Sequence, residues 1–145
     1  MKYAYFPGCS LHSTSKEYDL SAKEVALSLG IDLVEIPDWV CCGATPAHVT
    51  MHVLAQALPV KNLVNAKLTG ADEVCVCCAA CFSRLKIANY NVLNDKDKKD
   101  KINQILKTNY NGELAVKHLL EILKNDYGLA KITEKITNKL GGLKV

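Results

Sequence analysis

The sequence predicts an α/β fold: a parallel sheet with alternating strands and helices, and cysteine clusters at the carboxyl ends of the strands. Three observations lead there. Short runs rich in aromatic and β-branched residues alternate along the chain with stretches of helical periodicity. Glycine or proline punctuates most of the joints. Three cysteine clusters that are distant in sequence, Cys9, Cys41-Cys42 and Cys78-Cys81, each follow a predicted strand. At 145 residues the chain is expected to form one domain, large enough to bury a core without cross-links.

The elements follow in order. Lys2 to Phe6 is aromatic-rich and suits a first strand, which Pro7-Gly8 stops, so that Cys9 sits just past its end. Ser13, Thr14 and Ser15 are capping residues, and Glu17 stands at capping-box distance from Thr14. The helix they open has its apolar positions at Leu20, Val25, Ala26 and Leu29, and Gly30 terminates it. Ile31 to Ile36 is the second strand, closed by Pro37-Asp38, and the turn beyond carries Trp39, Val40, Cys41, Cys42 and Gly43. From Pro46 to Lys67 the pattern is again helical, with Val49, Val53, Leu54, Ala57, Leu63 and Val64 apolar. Pro59 is expected to kink or divide this helix.

Gly70 ends that element, and Glu73 to Cys77 is the third strand. Cys78 and Cys81 fall at the handover to a helix from Phe82 to Leu93. The charge run from Asn94 to Lys101 reads as a solvated turn and helix start, and Ile102, Ile105 and Leu106 give the next helix its apolar edge. Leu114 to Val116 is a short fourth strand, followed by helices at Leu119–Leu123 and Leu129–Ile136 that break at Gly128. The closing Gly141-Gly142-Leu143-Lys144-Val145 reads as a turn and the opening of another strand.

In a parallel sheet built from right-handed crossovers, all strand carboxyl ends lie along one edge, and ligands bind there. The three cysteine clusters are therefore expected to meet on that edge. Helices that start nearby favour thiolate over thiol. The setting is expected to be cytoplasmic, since no apolar h-region opens the chain and no run approaches the ~18 apolar residues of a membrane span. Thiols there stay reduced, so an odd count of seven cysteines points to metal ligands or reactive groups. A net charge of +3 with acids and bases interspersed is too weak to argue for nucleic acid.

Zinc takes four ligands, whereas these clusters offer five thiolates. Adjacent cysteines diverge and reach one ion poorly, yet suit two irons of one cluster, and thiolate-only ligation is what iron–sulfur clusters use. An iron–sulfur cluster is favoured, zinc is the alternative, and a vicinal Cys41–Cys42 disulfide is possible but strained.

The stretches Tyr5-Phe6-Pro7-Gly8-Cys9-Ser10-Leu11-His12, Pro37-Asp38-Trp39-Val40-Cys41-Cys42-Gly43-Ala44 and Cys78-Ala79-Ala80-Cys81-Phe82-Ser83-Arg84-Leu85-Lys86 resemble the cysteine-rich CCG domain family, and within it the B-subunit of heterodisulfide reductase. The similarity extends to His118-Leu119-Leu120 and Gly142-Leu143-Lys144-Val145. The resemblance implies a noncubane 4Fe-4S cluster held by Cys9, Cys41, Cys42, Cys78 and Cys81. It implies reductive cleavage of a disulfide, in methanogens that of coenzyme M and coenzyme B, with electrons from an iron–sulfur C-subunit and a flavin A-subunit. The family carries two such motifs in tandem. Residues 1–145 are expected to be a single CCG domain, the first of two repeats, with the second missing and the activity of one motif alone uncertain. The alternatives are an electron-transfer module, as in CCG-bearing proteins of glycolate, lactate and glycerol-3-phosphate oxidation, or a zinc or redox-thiol domain. The C-x2-C-x2-C-x3-C run usual in the former is absent here.

Among the other candidates, Cys75 and Cys77 alternate with Val74 and Val76 and are expected to pack as small apolar groups. His12 is open between touching a cluster or substrate and a surface role. His48 and His52, one helical turn apart, are expected on a polar helix face near the site. Trp39 is expected to shield the site, with an interface role open, Arg84 and Lys86 to compensate its charge, to touch an anionic substrate or to be solvated, and His118 to pack and hydrogen-bond locally.

Overall fold

The computed structural model describes residues 1–44, 52–138 and 141–142. The predicted sheet forms. In order the elements are β1 (Lys2–Phe6), α1 (Gly8–His12), α2 (Lys16–Ser28), β2 (Asp32–Glu35), α3 (His52–Ala66) with a 3-10 turn at Lys67–Thr69, and β3 (Glu73–Val76). There follow α4 (Ala79–Asn94), α5 (Lys96–Leu106), β4 (Ala115–His118), α6 (Leu119–Glu121) running into a π-helical segment (Ile122–Gly128), and α7 (Leu129–Lys135).

The strands lie in the order β2-β1-β3-β4, and every pairing is parallel. Ala4 stands level with Val34 on one side and Val74 on the other, and Val76 pairs both Phe6 and His118. Side chains alternate across the sheet, as the pleat requires. Ala4, Phe6, Val74 and Val76 enter a core with Val60, Leu63 and Ala66 of α3 and Leu85, Ala88 and Val92 of α4. Tyr3, Tyr5 and Cys75 enter a second core on the opposite face, with Ala22 and Ala26 of α2 and with Leu119 and Ile122.

Several local expectations differ from what forms. The chain makes a helical turn, α1, directly after β1. No capping box closes α2: its cap is Ser15, which makes no side-chain cap hydrogen bond, and Ser13 Oγ instead donates to the Cys9 carbonyl at 2.8 Å. The buried face of α2 is Ala22 and Ala26, while Leu20 and Val25 are exposed. Small residues let the helix approach the aromatic face of β1, and the period of the large residues points elsewhere. Val53, Leu54 and Ile105 are likewise exposed.

Helix α3 runs through Pro59 undivided. Ala57, Val60, Leu63 and Ala66 are buried along its inner face, and that burial outweighs the local cost of the missing N–H. The break at Gly128 is present, at φ +97°, and the residues before it take π-helical rather than α-helical form. His48, Val49, the side chain of His52 and Leu143 to Val145 lie outside the described residues.

A half-buried ionic lock ties β4 to its surroundings. Lys117 Nζ sits 2.7 Å from both Glu73 Oε1 and Asp126 Oδ2, and the Tyr3 hydroxyl donates to Asp126 at 2.9 Å. Lys117 holds the Asp126 carboxyl below its ordinary range. A carboxyl that ionises more readily folded than unfolded contributes stability above its ordinary pKa of about 4, and loses it as pH falls through the lower folded value. The Asp126→Asn variant is expected to lose roughly 1–2 kcal/mol near neutral pH. Urea denaturation should show that deficit shrinking as the medium is acidified.

Candidate metal centre

Each predicted cysteine cluster occupies a loop at the carboxyl end of a strand. Cys9 stands in α1, immediately beyond β1. Cys41 and Cys42 follow β2 after a loop that turns at Asp38, where φ is +48°. Cys78 is the N-cap of α4, and Cys81 lies in its first turn. Cys42 and Cys81 are buried, Cys78 is half-buried, and Cys9 and Cys41 are exposed.

The sulfurs meet most closely at Cys42 and Cys81, whose Sγ atoms are 3.3 Å apart; Cys9 and Cys42 stand close enough to Cys41, and Cys78 and Cys42 to Cys81, to disfavour a second thiolate there. Gly8 makes room for the Cys42–Cys81 contact: at φ +71°, a Cβ on it would stand 3.0 Å from Cys81 Sγ, so both conformation and space call for glycine. Among the described residues no group of three or more His, Cys, Asp and Glu side chains is arranged to hold a single metal ion.

The environment favours a thiolate at the buried end. A hydrogen bond from Cys81, together with the N–H groups of Ala44 and Cys42, pulls Cys42 down to about 6 against the effect of burial. Cys81, holding the shared proton, is pushed up. Cys41 accepts from the Gly43 N–H at 3.5 Å, which favours its thiolate, but burial and the neighbouring Cys9 and Cys42 outweigh that and raise it.

The Cys41-Cys42 loop is clamped by two asparagines that belong to none of the cysteine motifs. Asn62, fully buried in α3, accepts from the Val40 N–H at 2.8 Å and donates to the Val40 carbonyl at 2.9 Å. One turn on, Asn65 Nδ2 donates to the carbonyls of Pro37 and Asp38 at 3.2 and 3.0 Å. The signal that could have found Asn62 is an asparagine on the apolar face of a helix, between Val60 and Leu63, where a polar group survives only if it is bonded.

The remaining candidates divide. His12 lies 3.3 Å from Glu35 and edge-on to Trp39, with ring centroids 5.1 Å apart. Trp39 donates from Nε1 to Glu35 at 3.2 Å and packs edge-on against Phe6, closing the β1–β2 end of the rim. Cys75 and Cys77 are buried on the opposite face from Cys42 and Cys81. Tyr5 donates to Asp19 at 2.7 Å and lies 3.8 Å from Cys77 Sγ.

His118 Nε2 is 2.8 Å from the Cys77 carbonyl, while its Nδ1 accepts from the Leu120 N–H. That pattern makes Nε2–H the donor, so His118 fastens the loop that carries Cys78. Lys86 sits over the Phe82 ring at 4.7 Å and 3.6 Å from Glu121. Arg84 is half-buried and makes no ion pair among the described residues. No helix among the described residues is long and apolar enough to cross a membrane.

The chain is 27% identical, over its whole length, to a heterodisulfide reductase B-subunit-like protein of Archaeoglobus profundus, of which it covers 50%. It is 31% identical, over 99% of its length, to the membrane anchor of the 8-methylmenaquinol:fumarate reductase of Wolinella succinogenes, again covering 50% of that protein. It is 29% identical, over 96% of its length, to the B-subunit of the ferredoxin/F(420)H(2)-dependent CoB-CoM heterodisulfide reductase of Methanosarcina acetivorans, covering 47%. The chain thus spans about half the length of these relatives, which are components of reductases. The cysteine-rich CCG domain model matches residues 3–86, a span that holds all three cysteine clusters and the loops that present them, and the chain belongs to that family.

Proposed function

We propose that the chain forms a unit of the iron–sulfur B-subunit of a heterodisulfide reductase-like complex, in which a disulfide of the CoM-S-S-CoB type is reductively cleaved at a noncubane 4Fe-4S cluster. On this reading residues 1–145 are one CCG unit, the first of two in tandem. Its partners are an iron–sulfur C-subunit and a flavin A-subunit, and its setting is cytoplasmic. The observation that carries the reading is the contact of Cys42 and Cys81 at 3.3 Å across two separate loops, with Cys9 and Cys78 close enough to act electrostatically on Cys41 and Cys81.

The donor set suits such a group. It is thiolate throughout, as iron–sulfur clusters use, and its five sulfurs exceed the four ligands that one tetrahedral zinc takes. When bound, the cluster would supply single electrons, two of which, with two protons, convert a disulfide into two thiols.

The chain's own residues do the rest. Cys42 and Cys81 would hold the buried end. Cys9 and Cys41, being exposed, would hold the end that faces a substrate. Trp39 covers the β1–β2 side, Asn62 and Asn65 fix the approach of Cys41-Cys42, and His118 fixes that of Cys78.

A second reading, an electron-transfer module serving a different reductase, draws on the likeness to the fumarate reductase anchor.

Iron, acid-labile sulfide and zinc measured on anaerobically reconstituted protein test the metal assignment. About four irons and four sulfides per chain are expected; one zinc without sulfide would refute it. Electron transfer to a disulfide, as against a quinone-linked acceptor, separates the two readings.

A further inference from the structure

We propose that the metal-free chain carries a specific thiol-modification site, in which Cys42 and Cys81 are oxidised to a cross-loop disulfide that ties the β2 loop to the start of α4. Their sulfurs stand 3.3 Å apart across two separate loops. Bonding them needs only a small approach of side chains that already touch, since a disulfide closes at about 2.05 Å. The neighbouring pair Cys41-Cys42 offers no such route, because adjacent side chains diverge and the small ring they would close is strained.

Both partners are buried, with 2% and 4% of their surface exposed, so a small oxidant is the fitting one. Peroxide transfers an oxygen to the Cys42 sulfur and leaves one water, giving a sulfenic acid. The Cys81 thiol then attacks that sulfur, the S–O bond breaks, and a second water leaves. Two thiols thereby give up two electrons and two hydrogens, and one peroxide becomes two waters. The product keeps the rim assembled without metal and holds both sulfurs below the irreversible sulfinic stage, from which a dithiol reductant recovers them. The pairing concerns the metal-free chain, so its failure and the failure of cluster binding are read by different measurements.

The full chain, freed of iron anaerobically, would be treated with one equivalent of hydrogen peroxide, alkylated, and mapped after trypsin. The three cysteine clusters fall on separate tryptic peptides, residues 3–16, 24–61 and 68–84. The expected product joins 24–61 to 68–84, persists in Cys78→Ser, disappears in Cys81→Ser and in Cys42→Ser, and is reversed by dithiothreitol. A main product confined to 24–61, which is the vicinal disulfide, would overturn the proposal. So would one joining 3–16 to 24–61, or survival of the cross-link in Cys81→Ser.

Discussion

Replacing Cys81 with serine is expected to lower reconstituted iron and sulfide by at least about tenfold while the chain stays folded. Serine is close in size and can keep the hydrogen bond to Cys42, now 3.3 Å between sulfurs, so the packing under α4 survives. The hydroxyl does not deprotonate to a soft anionic ligand as a thiol does. Cys75→Ser is the matched control. Cys75 is as deeply buried but faces the opposite core, among Tyr3, Tyr5 and Ala22. Its hydroxyl would cost about 1–3 kcal/mol of stability and leave iron content unchanged. Full iron in Cys81→Ser, or iron loss in a well-folded Cys75→Ser, would reverse the assignment of the two faces.

That contrast between faces was legible in the sequence because it rests on a period of two. Once Glu73 to Val76 is a strand, Val74 and Val76 must share one face and Cys75 the other. The placement of Cys9, Cys41-Cys42 and Cys78-Cys81 on one rim was legible for a similar reason, since in a parallel sheet the direction of every strand is fixed once one is known. The fourth strand was also readable, though it lies one to two residues further on than expected, at Ala115–His118.

Other features escaped for reasons of distance and size. Five residues at Gly8–His12 are too few to show periodicity. The inner face of α2 is built from Ala22 and Ala26, whose small side chains carry little hydrophobic signal although they set how closely the helix sits on β1. Pro59 reads as a break in any local account, and is overruled by a buried face formed with residues distant in sequence. His118 and its bond to the Cys77 carbonyl join residues 41 positions apart, and no pattern along the chain announces such a pair.

Asn62, whose one signal is an asparagine on an apolar helix face, is the most consequential of the features beyond the cysteine motifs, and Asn62→Leu is expected to lower both stability and iron content. Leucine has the same branched outline as asparagine, with methyl groups in place of the amide, and suits a helix. What disappears is the paired bond to the Val40 N–H and carbonyl. Leaving those two groups without partners should cost roughly 1–3 kcal/mol, which for a chain of this length lowers Tm by on the order of 5 °C. Asn65→Ala, whose bonds to Pro37 and Asp38 are exposed, should cost under about 1 kcal/mol.

The iron readout separates positioning from mere stability. Val40 immediately precedes Cys41-Cys42, so a loop released at Val40 presents both thiols in many orientations, and bound iron should fall even at temperatures where the variant is fully folded. Asn62→Asp sharpens the distinction. Its carboxylate still accepts from the Val40 N–H but faces the Val40 carbonyl with no proton to give, so it should recover part of the stability and little of the iron. If Asn62→Leu took up full iron with an unchanged spectrum, the asparagine would be a stabilising core residue alone, and the loop would owe its shape to the cysteines themselves.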